Sequence, residues 1–277
     1  MTSWDSDIPA LDRTVPARGW VWIVLRGLPM LIVLCVMFVT LLVVRLLERP
    51  IFGMARPITP WITQGFCQIA CALLGLRIKI RGAPMRERGA FVCNHASWLD
   101  VFVLNAAKRL YFVAKSEVSG WPGIGLLARG TGTVFVQRKR TEAKTQAALF
   151  DQRLTAGHKL LFFPEGTSTD GQQVLDFKTT LFAAFFTDHL KSFLHIQPIT
   201  LNYHAPQGAD PRHYGWWGDM AFGPSLLWVL ATRPQGWVEL IYHTPLAVAD
   251  FADRKSLAKA CEAVVRDGLT QRLDQRQ

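Results

Sequence analysis

The feature that most constrains this chain is an uncharged apolar stretch near its N-terminus. Residues 27–44 (GLPMLIVLCVMFVTLLVV) lie between Arg26 and Arg45 and contain no charged side chain. This stretch is about as short as a helix that crosses a bilayer can be. It predicts a membrane anchor, so the chain is not expected to hide all of its apolar surface in a soluble core.

A cleavable signal peptide is the alternative interpretation of this stretch. The stretch begins too far from Met1, and no small-residue cleavage site follows it. A second uncharged stretch, residues 57–76, contains threonine and glutamine and is typical of an amphipathic or partly inserted helix. Pro29 and the short length leave open whether the anchor crosses the bilayer or enters one leaflet. Arginines flank both sides, so its orientation is also open.

The net charge indicates which kinds of partner the chain can bind, and the cysteines indicate the redox state of its compartment. The formal net charge of +10 predicts an anionic partner, and the anchor favours an anionic membrane surface. We predict no nucleic-acid partner, because no zinc-finger spacing, RNA-binding aromatic run or basic heptad helix is present. No metal site is predicted, since His and Cys do not cluster with ligand spacing. The five cysteines form no C-x-x-C pair and indicate buried thiols in a reducing compartment.

The chain divides into three predicted segments: a polar, loose N-terminal tail (1–18), a membrane-anchoring helical segment (19–76) and a catalytic domain (77–277). In the last segment, predicted strands alternate with helices. The predicted strands are 77–81, 91–93, 110–114, 133–136, 159–163, 195–200 and 237–242, and the helices include 141–154, 178–186 and 254–272. This alternation predicts an α/β fold with a mixed, largely parallel sheet flanked by helices.

A histidine and an aspartate follow the second predicted strand, in residues 91–100 (FVCNHASWLD). Side chains five positions apart on one helix differ in direction by roughly 140°, so His95 and Asp100 need a helix start between them. Ser97 is expected to supply that start as an N-cap. Helical side chains lean toward the N-terminus, so we predict that the Asp100 carboxylate points back to the His95 imidazole. An H-x4-D motif arises often by chance and needs corroboration.

Other polar residues also follow predicted strands. In open α/β sheets, ligands bind beyond the carboxyl ends of the strands. The residues at those positions are Asn94, His95, Lys115, Arg138, Glu165, Gly166 and Thr167. A base, two cations and a carboxylate suit an acceptor with a hydroxyl group to be activated and an anionic group to be held. A G-x-G-x-x-A match at residues 123–128 follows Trp-Pro rather than a strand, so a dinucleotide site is not predicted.

Four ordered blocks carry a family resemblance: residues 94–100 (NHASWLD), 135–138 (FVQR), 163–167 (FPEGT) and 197–199 (QPI). Together they resemble the glycerolipid acyltransferase family, over roughly residues 78–245. The resemblance implies an enzyme that moves a fatty acyl group from an acyl carrier protein or CoA thioester to a lyso-lipid hydroxyl. It implies no further cofactor, a glycerolphosphate-acyltransferase-like fold, and a bacterial-type inner membrane location with the catalytic domain facing the cytoplasm.

The resemblance also implies roles for single residues. His95 is the general base, Asp100 orients it and stabilises the imidazolium, and Arg138 holds the acceptor's head group. The other acceptor-site residues are Asn94, Lys115, Glu165, Gly166 and Thr167. For Glu165, a hydrogen bond to the loop backbone is the alternative, and for Lys115, solvation. A serine nucleophile is disfavoured because no G-x-S-x-G elbow exists, so direct transfer is predicted.

The residue after Glu-Gly-Thr bears on the acceptor. Phosphatidate-forming members of the family often have Arg there, whereas this chain has Ser168. The form E-G-T-S-x-D-G resembles lyso-ornithine lipid acyltransferases. The first prediction is 1-acylglycerol-3-phosphate, because Arg138, Lys115 and Arg140 can hold a phosphate; a lyso-ornithine lipid or other lyso-aminolipid is the alternative. A non-catalytic lipid-binding membrane protein and a hydrolase are alternatives of other classes.

Overall fold

The computed structural model of the protein describes residues 4–9, 11–137 and 143–274. The helices are α1 (Ala17–Phe52), α2 (Thr59–Leu74), α3 (Asp100–Ala107), α4 (Ile124–Thr131), α5 (Ala143–Thr155), α6 (Asp188–Lys191), α7 (Phe222–Ala231) and α8 (Arg254–Asp274). The strands are β1 (Arg77–Arg81), β2 (Gly89–Cys93), β3 (Tyr111–Lys115), β4 (Val134–Val136), β5 (Leu160–Phe162), β6 (His195–His204), β7 (Trp237–Tyr242) and β8 (Leu246–Ala247).

The strands form a single sheet in the order β1-β7-β6-β2-β5-β3-β4. Strands β7 and β8 run antiparallel to β6, and the other pairings are parallel. The prediction of a mixed, largely parallel sheet is therefore confirmed. Strand β2 lies beside β5 with Val92 opposite Phe162, so the residues that follow these two strands meet at the same edge.

Both faces of the sheet are covered, which holds the strand ends in place. On β2, Phe91 contributes to a core shared with α2, α3 and α7, whereas Val92 contributes to a second core shared with α5 and α8. Both side chains are fully buried. Such double burial explains why the predicted strand is a continuous apolar run without alternation.

The predicted helix at residues 178–186 is wrong in type and extent. Residues Leu181–Phe186 form a 3-10 helix instead. With three residues per turn, side chains at i and i+3 share one face, and this places Phe182 and Phe185 together. Both are fully buried, and both rings contact Phe162 on β5. Packing against the sheet therefore favours the tighter helix.

The predicted anchor is part of a longer helix. Helix α1 has 36 residues, and its length and composition would let it cross a membrane. At about 1.5 Å per residue it is roughly 54 Å long. Its surface exposes many large apolar side chains, such as Leu31, Val39 and Leu46. The buried Glu48 carboxylate accepts hydrogen bonds from the backbone of Ile58 and from Thr59, which ties α1 to the start of α2.

The polar tail is not loose where the structure describes it, so that expectation is wrong. Arg13 donates hydrogen bonds to Ser225 Oγ and to the carbonyl oxygen of Gly215. The Trp4 ring meets the Trp217 ring edge-on, with centroids 6.2 Å apart. The tail is thus docked on the segment that leads into α7. The three segment boundaries set from the sequence stay predictions.

Candidate active site

His95 and Asp100 lie at the carboxyl edge of the sheet, in the turn between β2 and α3. The Nδ1 atom of His95 is 2.7 Å from Oδ2 of Asp100, which is the contact predicted from the spacing. The Asp100 side chain is fully buried, while 19% of the His95 side chain is exposed. The carboxylate therefore has little access to solvent, and the imidazole sits at the boundary between protein and solvent.

The Asp100 carboxylate is held by groups from the turn and from a distant strand. Its Oδ2 atom also accepts hydrogen bonds from the backbone N–H groups of Ala96, at 2.8 Å, and Ser97, at 3.1 Å. Its Oδ1 atom accepts from the Tyr203 hydroxyl, 2.8 Å away on β6. Burial and the neighbouring carboxylate raise the pKa of Tyr203 well above its usual value, so Tyr203 remains a neutral donor.

The prediction that Ser97 is the N-cap of this helix is wrong. Helix α3 begins at Asp100, and Leu99 occupies the N-cap position without a side-chain cap. The Ser97 hydroxyl instead accepts a hydrogen bond from Leu99 N within the turn. Asp100 accepts hydrogen bonds from the N–H groups of Ala96 and Ser97, just before the helix, and such bonds to a carboxylate are strong.

The His95 ring and its backbone are fixed from several sides. The ring stacks on Phe163, with centroids 4.0 Å apart and planes 11° from parallel. The backbone N–H donates to Glu165 Oε1 at 2.7 Å, and the carbonyl oxygen accepts from Thr169 N at 2.9 Å. With Nδ1 bound to Asp100, Nε2 is the ring nitrogen that no described residue hydrogen-bonds.

Glu165 is buried, and its carboxylate connects its own loop to the loops that contain His95 and Leu175. Its Oε1 atom accepts from His95 N, and its Oε2 atom accepts from Leu175 N at 2.8 Å. Burial raises the pKa of Glu165 to about 8, while the two N–H donors oppose the rise. Both oxygens are engaged by backbone groups, which matches the loop-bonding alternative considered for this residue.

Asn94 binds the neighbouring strand. Its Oδ1 atom accepts from Leu201 N and its Nδ2 atom donates to Leu201 O, both at 2.8 Å. The side chain is buried, so these bonds fix the end of β2 against β6.

The remaining predicted site residues lie at the same edge or outside the described residues. Gly166 has a φ of 72°, which favours glycine in the turn after β5. Thr167 follows it and is half-buried, and Lys115 is the half-buried last residue of β3. Arg138 lies outside the described residues.

Three contacts that hold the site in place were not predicted from the sequence. Tyr203 bonds Asp100, Phe163 stacks on His95, and Trp216 donates its backbone N–H to the carbonyl oxygen of Ala96 at 2.8 Å. Phe163 is the first residue of the FPEGT block, so the sequence could have indicated that its ring lies at the site. Tyr203 lies 103 residues from its partner, and no local pattern marks it.

The chemistry of the site is that of a base with an orienting acid. Within the described residues, no group of three or more His, Cys, Asp or Glu side chains could hold a metal ion. Cys93 is fully buried and burial raises the pKa of its thiol, so it is a poor nucleophile. Ser97 is also fully buried. The partly exposed imidazole is the group placed to meet a substrate.

Known proteins match both the sequence and the fold. A family model described as acyltransferase matches residues 77–202. The lyso-ornithine lipid O-acyltransferase of Rhodobacter capsulatus is 55% identical over 269 residues, which cover 97% of this chain and 98% of the relative. This chain belongs to the acyltransferase family. The predicted family and the prediction of an acyltransferase enzyme are confirmed.

More distant relatives of the family differ in the acceptors that their names state. A lyso-ornithine lipid O-acyltransferase of Rhizobium meliloti is 37% identical and covers 77% of this chain and 76% of the relative. A 1-acyl-sn-glycerol-3-phosphate acyltransferase of Neisseria gonorrhoeae is 28% identical, covering 74% of this chain and 78% of the relative. The exposed apolar surface of α1 makes the chain a membrane-associated member.

The fold matches a crystal structure of the family. The 1-acyl-sn-glycerophosphate acyltransferase PlsC from Thermotoga maritima superimposes with a TM-score of 0.57, over 89% of this chain and 97% of that chain. At 20% identity this similarity concerns the fold alone. It confirms the predicted sheet with flanking helices.

Proposed function

We propose that this chain transfers a fatty acyl group from a thioester to the free hydroxyl group of a lyso-ornithine lipid. The observation that carries the proposal is the 55% identity, over almost the whole of both chains, to a protein of that activity. The segment E-G-T-S-T-D-G at residues 165–171 agrees with it, because the family's phosphate-binding Arg is replaced by Ser168.

The charges of this segment also favour an acceptor with a cationic group. The segment contains no Lys or Arg, and Asp170 is its one acidic residue besides the buried Glu165. Thr169, next to Asp170, donates its backbone N–H to His95 O. A segment without Lys or Arg offers no cation to a phosphate monoester, whereas the Asp170 carboxylate would attract the amino group of ornithine.

In the proposed mechanism, His95 acts as the general base through Nε2. Its Nδ1–H donates to Asp100, so Nε2 has a lone pair with which to take the acceptor's hydroxyl proton. The hydroxyl oxygen then attacks the thioester carbonyl carbon, the carbon–sulfur bond breaks, and the thiol leaves with the proton that His95 returns. Asp100 stabilises the imidazolium during the transfer. The buried hydroxyl of Ser97 supports direct transfer without an acyl-enzyme.

The proposed donor is an acyl carrier protein or CoA thioester, and no further cofactor takes part. The net charge of +10 supports binding to an acidic carrier protein and to an anionic membrane surface. We place the catalytic domain on the cytoplasmic side of the bacterial inner membrane. The cysteines are all free thiols, which fits a reducing compartment.

The test is an acyl-transfer assay with the purified full chain. A labelled acyl thioester, supplied once as the carrier-protein form and once as the CoA form, is offered with each lyso-lipid in turn. We expect acylated ornithine lipid as the main product. Phosphatidate formed faster than ornithine lipid would overturn the proposed acceptor. Fatty acid released equally with and without acceptor would indicate a hydrolase.

A second candidate acceptor is 1-acylglycerol-3-phosphate. It is favoured by Arg138 in the F-V-Q-R block, which resembles the head-group-binding block of the family, and by the Neisseria relatives. A non-catalytic lipid-binding role is disfavoured, because the His95–Asp100 pair is intact and its geometry is complete.

A further inference from the structure

A cavity lined by arginines lies where the N-terminal helix meets the catalytic domain. It has a volume of about 490 Å³. Its arginines come from four separate parts of the chain: Arg45 and Arg49 from α1, Arg56 from the α1–α2 connection, Arg129 from α4 and Arg153 from α5. We call this group the arginine cavity.

The arginine cavity lies at the opposite edge of the sheet from His95. The Arg153 guanidinium lies over the ring of Tyr111, the first residue of β3, and donates to the carbonyl oxygen of Gly132, just before β4. Tyr111 and Ala90 of β2 both lie opposite Leu160 of β5, so the two residues have the same position along the strand direction. His95 lies five residues further along, or about 16 Å at the usual rise per residue. The cavity is therefore separate from the reacting atoms.

The positive charge of this cavity is poorly compensated. Among the described residues, Glu48 is the one carboxylate that forms an ion pair with a cavity arginine, at 3.4 Å from Arg45. Arg153 is 8% exposed. Its burial is the main reason that its pKa is lowered to about 10, and the nearby positive charges of Arg56 and Arg45 lower the pKa further. The Nε atoms of Arg56 and Arg153 are buried, and neither has a hydrogen-bond partner. Five arginines line the cavity and one described carboxylate pairs with them, so an anion would supply the missing negative charge.

The apolar walls indicate what kind of anion fits. Leu42, Met54 and Leu126 line the cavity beside the arginines. The adjoining surface of α1 exposes Leu46 and Ile51, at 76% and 71%. Guanidinium groups bind phosphate oxygens in pairs, and the exposed apolar side chains match acyl chains. A ligand with a phosphate group and attached acyl chains satisfies both parts of the lining.

We propose that the arginine cavity binds the phosphate group of an anionic membrane phospholipid, which is neither the acyl donor nor the acceptor. The lipid links α1 to α4 and α5 and holds the catalytic domain on the membrane surface. An acidic carrier protein is a weaker fit, because the cavity opens beside the apolar helix and lies at the edge away from His95. This inference does not depend on which lyso-lipid is acylated.

Native mass spectrometry of the detergent-solubilised full chain tests the proposal, with phosphatidylglycerol, phosphatidylcholine or inorganic phosphate added. We expect phosphatidylglycerol to bind at least about tenfold more tightly than phosphatidylcholine. The double variant Arg49→Gln/Arg129→Gln should weaken phosphatidylglycerol binding by about tenfold or more, as expected when charge-assisted hydrogen bonds are removed. Both arginines are exposed, so the variant is expected to fold.

The matched control is the double variant Arg18→Gln/Arg254→Gln, which also removes two positive charges, from exposed arginines at the starts of α1 and α8 that do not line the cavity. It should bind phosphatidylglycerol as the unchanged chain does. Equal binding of the two lipids, or unchanged binding by Arg49→Gln/Arg129→Gln, would overturn the proposal. So would tighter binding of inorganic phosphate than of phosphatidylglycerol. Acyl carrier protein is added in a parallel measurement, and loss of its binding in Arg49→Gln/Arg129→Gln while lipid binding persisted would overturn the proposal and assign the site to the carrier protein.

Discussion

The Tyr203 hydroxyl lies 2.8 Å from Oδ1 of Asp100, the carboxylate oxygen that does not contact His95. Tyr203 is on β6 in the middle of the sheet and is buried. A rigid strand thus fixes one oxygen of the carboxylate while the imidazole binds the other. We infer that Tyr203 positions the Asp100 carboxylate and shares its charge.

Replacing Tyr203 by Phe should lower kcat by about tenfold, with a small change in KM. The lost hydrogen bond to a charged group amounts to about 1.5–3 kcal/mol. Steady-state kinetics would measure kcat and KM separately.

Tyr242→Phe is the matched control for that variant. Its hydroxyl is buried, but among the described residues it has no hydrogen-bond partner. The same atom is removed from the same kind of environment, and kcat should not change. If the two variants behaved alike, Tyr203 would have a structural role only.

Replacing His95 by Ala should lower kcat by about 10²–10⁴, the usual contribution of a positioned general base. The fold should persist, because the ring is partly exposed and packs on Phe163 alone among the aromatic side chains described. His189→Ala is the control, since His189 forms a similar pair with Asp151, at 2.8 Å, on the surface. Acyl transfer and circular dichroism would be compared. An active His95→Ala variant would refute the proposed base.

The sequence predicted those parts of the fold that depend on local pattern. Alternating apolar strands and helices were sufficient for the sheet, and the spacing of His95 and Asp100 was sufficient for their contact. The N-cap at Ser97 was wrong because residues 97–99 form a turn and the helix begins only at Asp100, and residue preference alone does not say at which residue a helix starts.

Contacts between distant segments could not be predicted from the sequence. The bond between Tyr203 and Asp100 depends on β6 pairing with β2, which only the assembled sheet determines. The docking of Arg13 on Ser225 joins residues 212 positions apart. A polar tail without periodicity gives no signal for such a contact, because a single half-buried side chain is enough to hold the tail.

Replacing Arg13 by Gln should release the N-terminal tail. The guanidinium bonds Ser225 Oγ, which also accepts from the Trp98 indole next to the catalytic turn. Two lost hydrogen bonds are expected to cost about 1–3 kcal/mol in the free energy of unfolding. Limited proteolysis should cut the tail faster than in Arg18→Gln, which alters an exposed arginine of the same region. Equal cleavage rates would contradict the docking role.

Glu165 gives a prediction about pH and stability. Burial raises its pKa from 4.5 to about 8, so between these values the folded state binds more protons than the unfolded state. The free energy of unfolding should therefore fall as the pH rises from about 4.5 to 8, and this contribution should be constant above pH 8. Glu165→Gln stays neutral at every pH and so removes this pH dependence, while its amide nitrogen cannot accept the second backbone N–H, which should lower the free energy of unfolding by a constant amount.

The free energy of unfolding of Glu165→Gln, relative to that of the unchanged chain, should therefore rise between about pH 4.5 and 8. Thermal unfolding of detergent-solubilised protein at pH 5, 6, 7 and 8 would measure it. Glu87→Gln is the control, since Glu87 is exposed and its pKa is lowered by backbone hydrogen bonds. That substitution should leave the pH dependence unchanged over this range. Parallel curves for Glu165→Gln and the unchanged chain would show that Glu165 is ionised throughout, with its two backbone N–H bonds outweighing its burial.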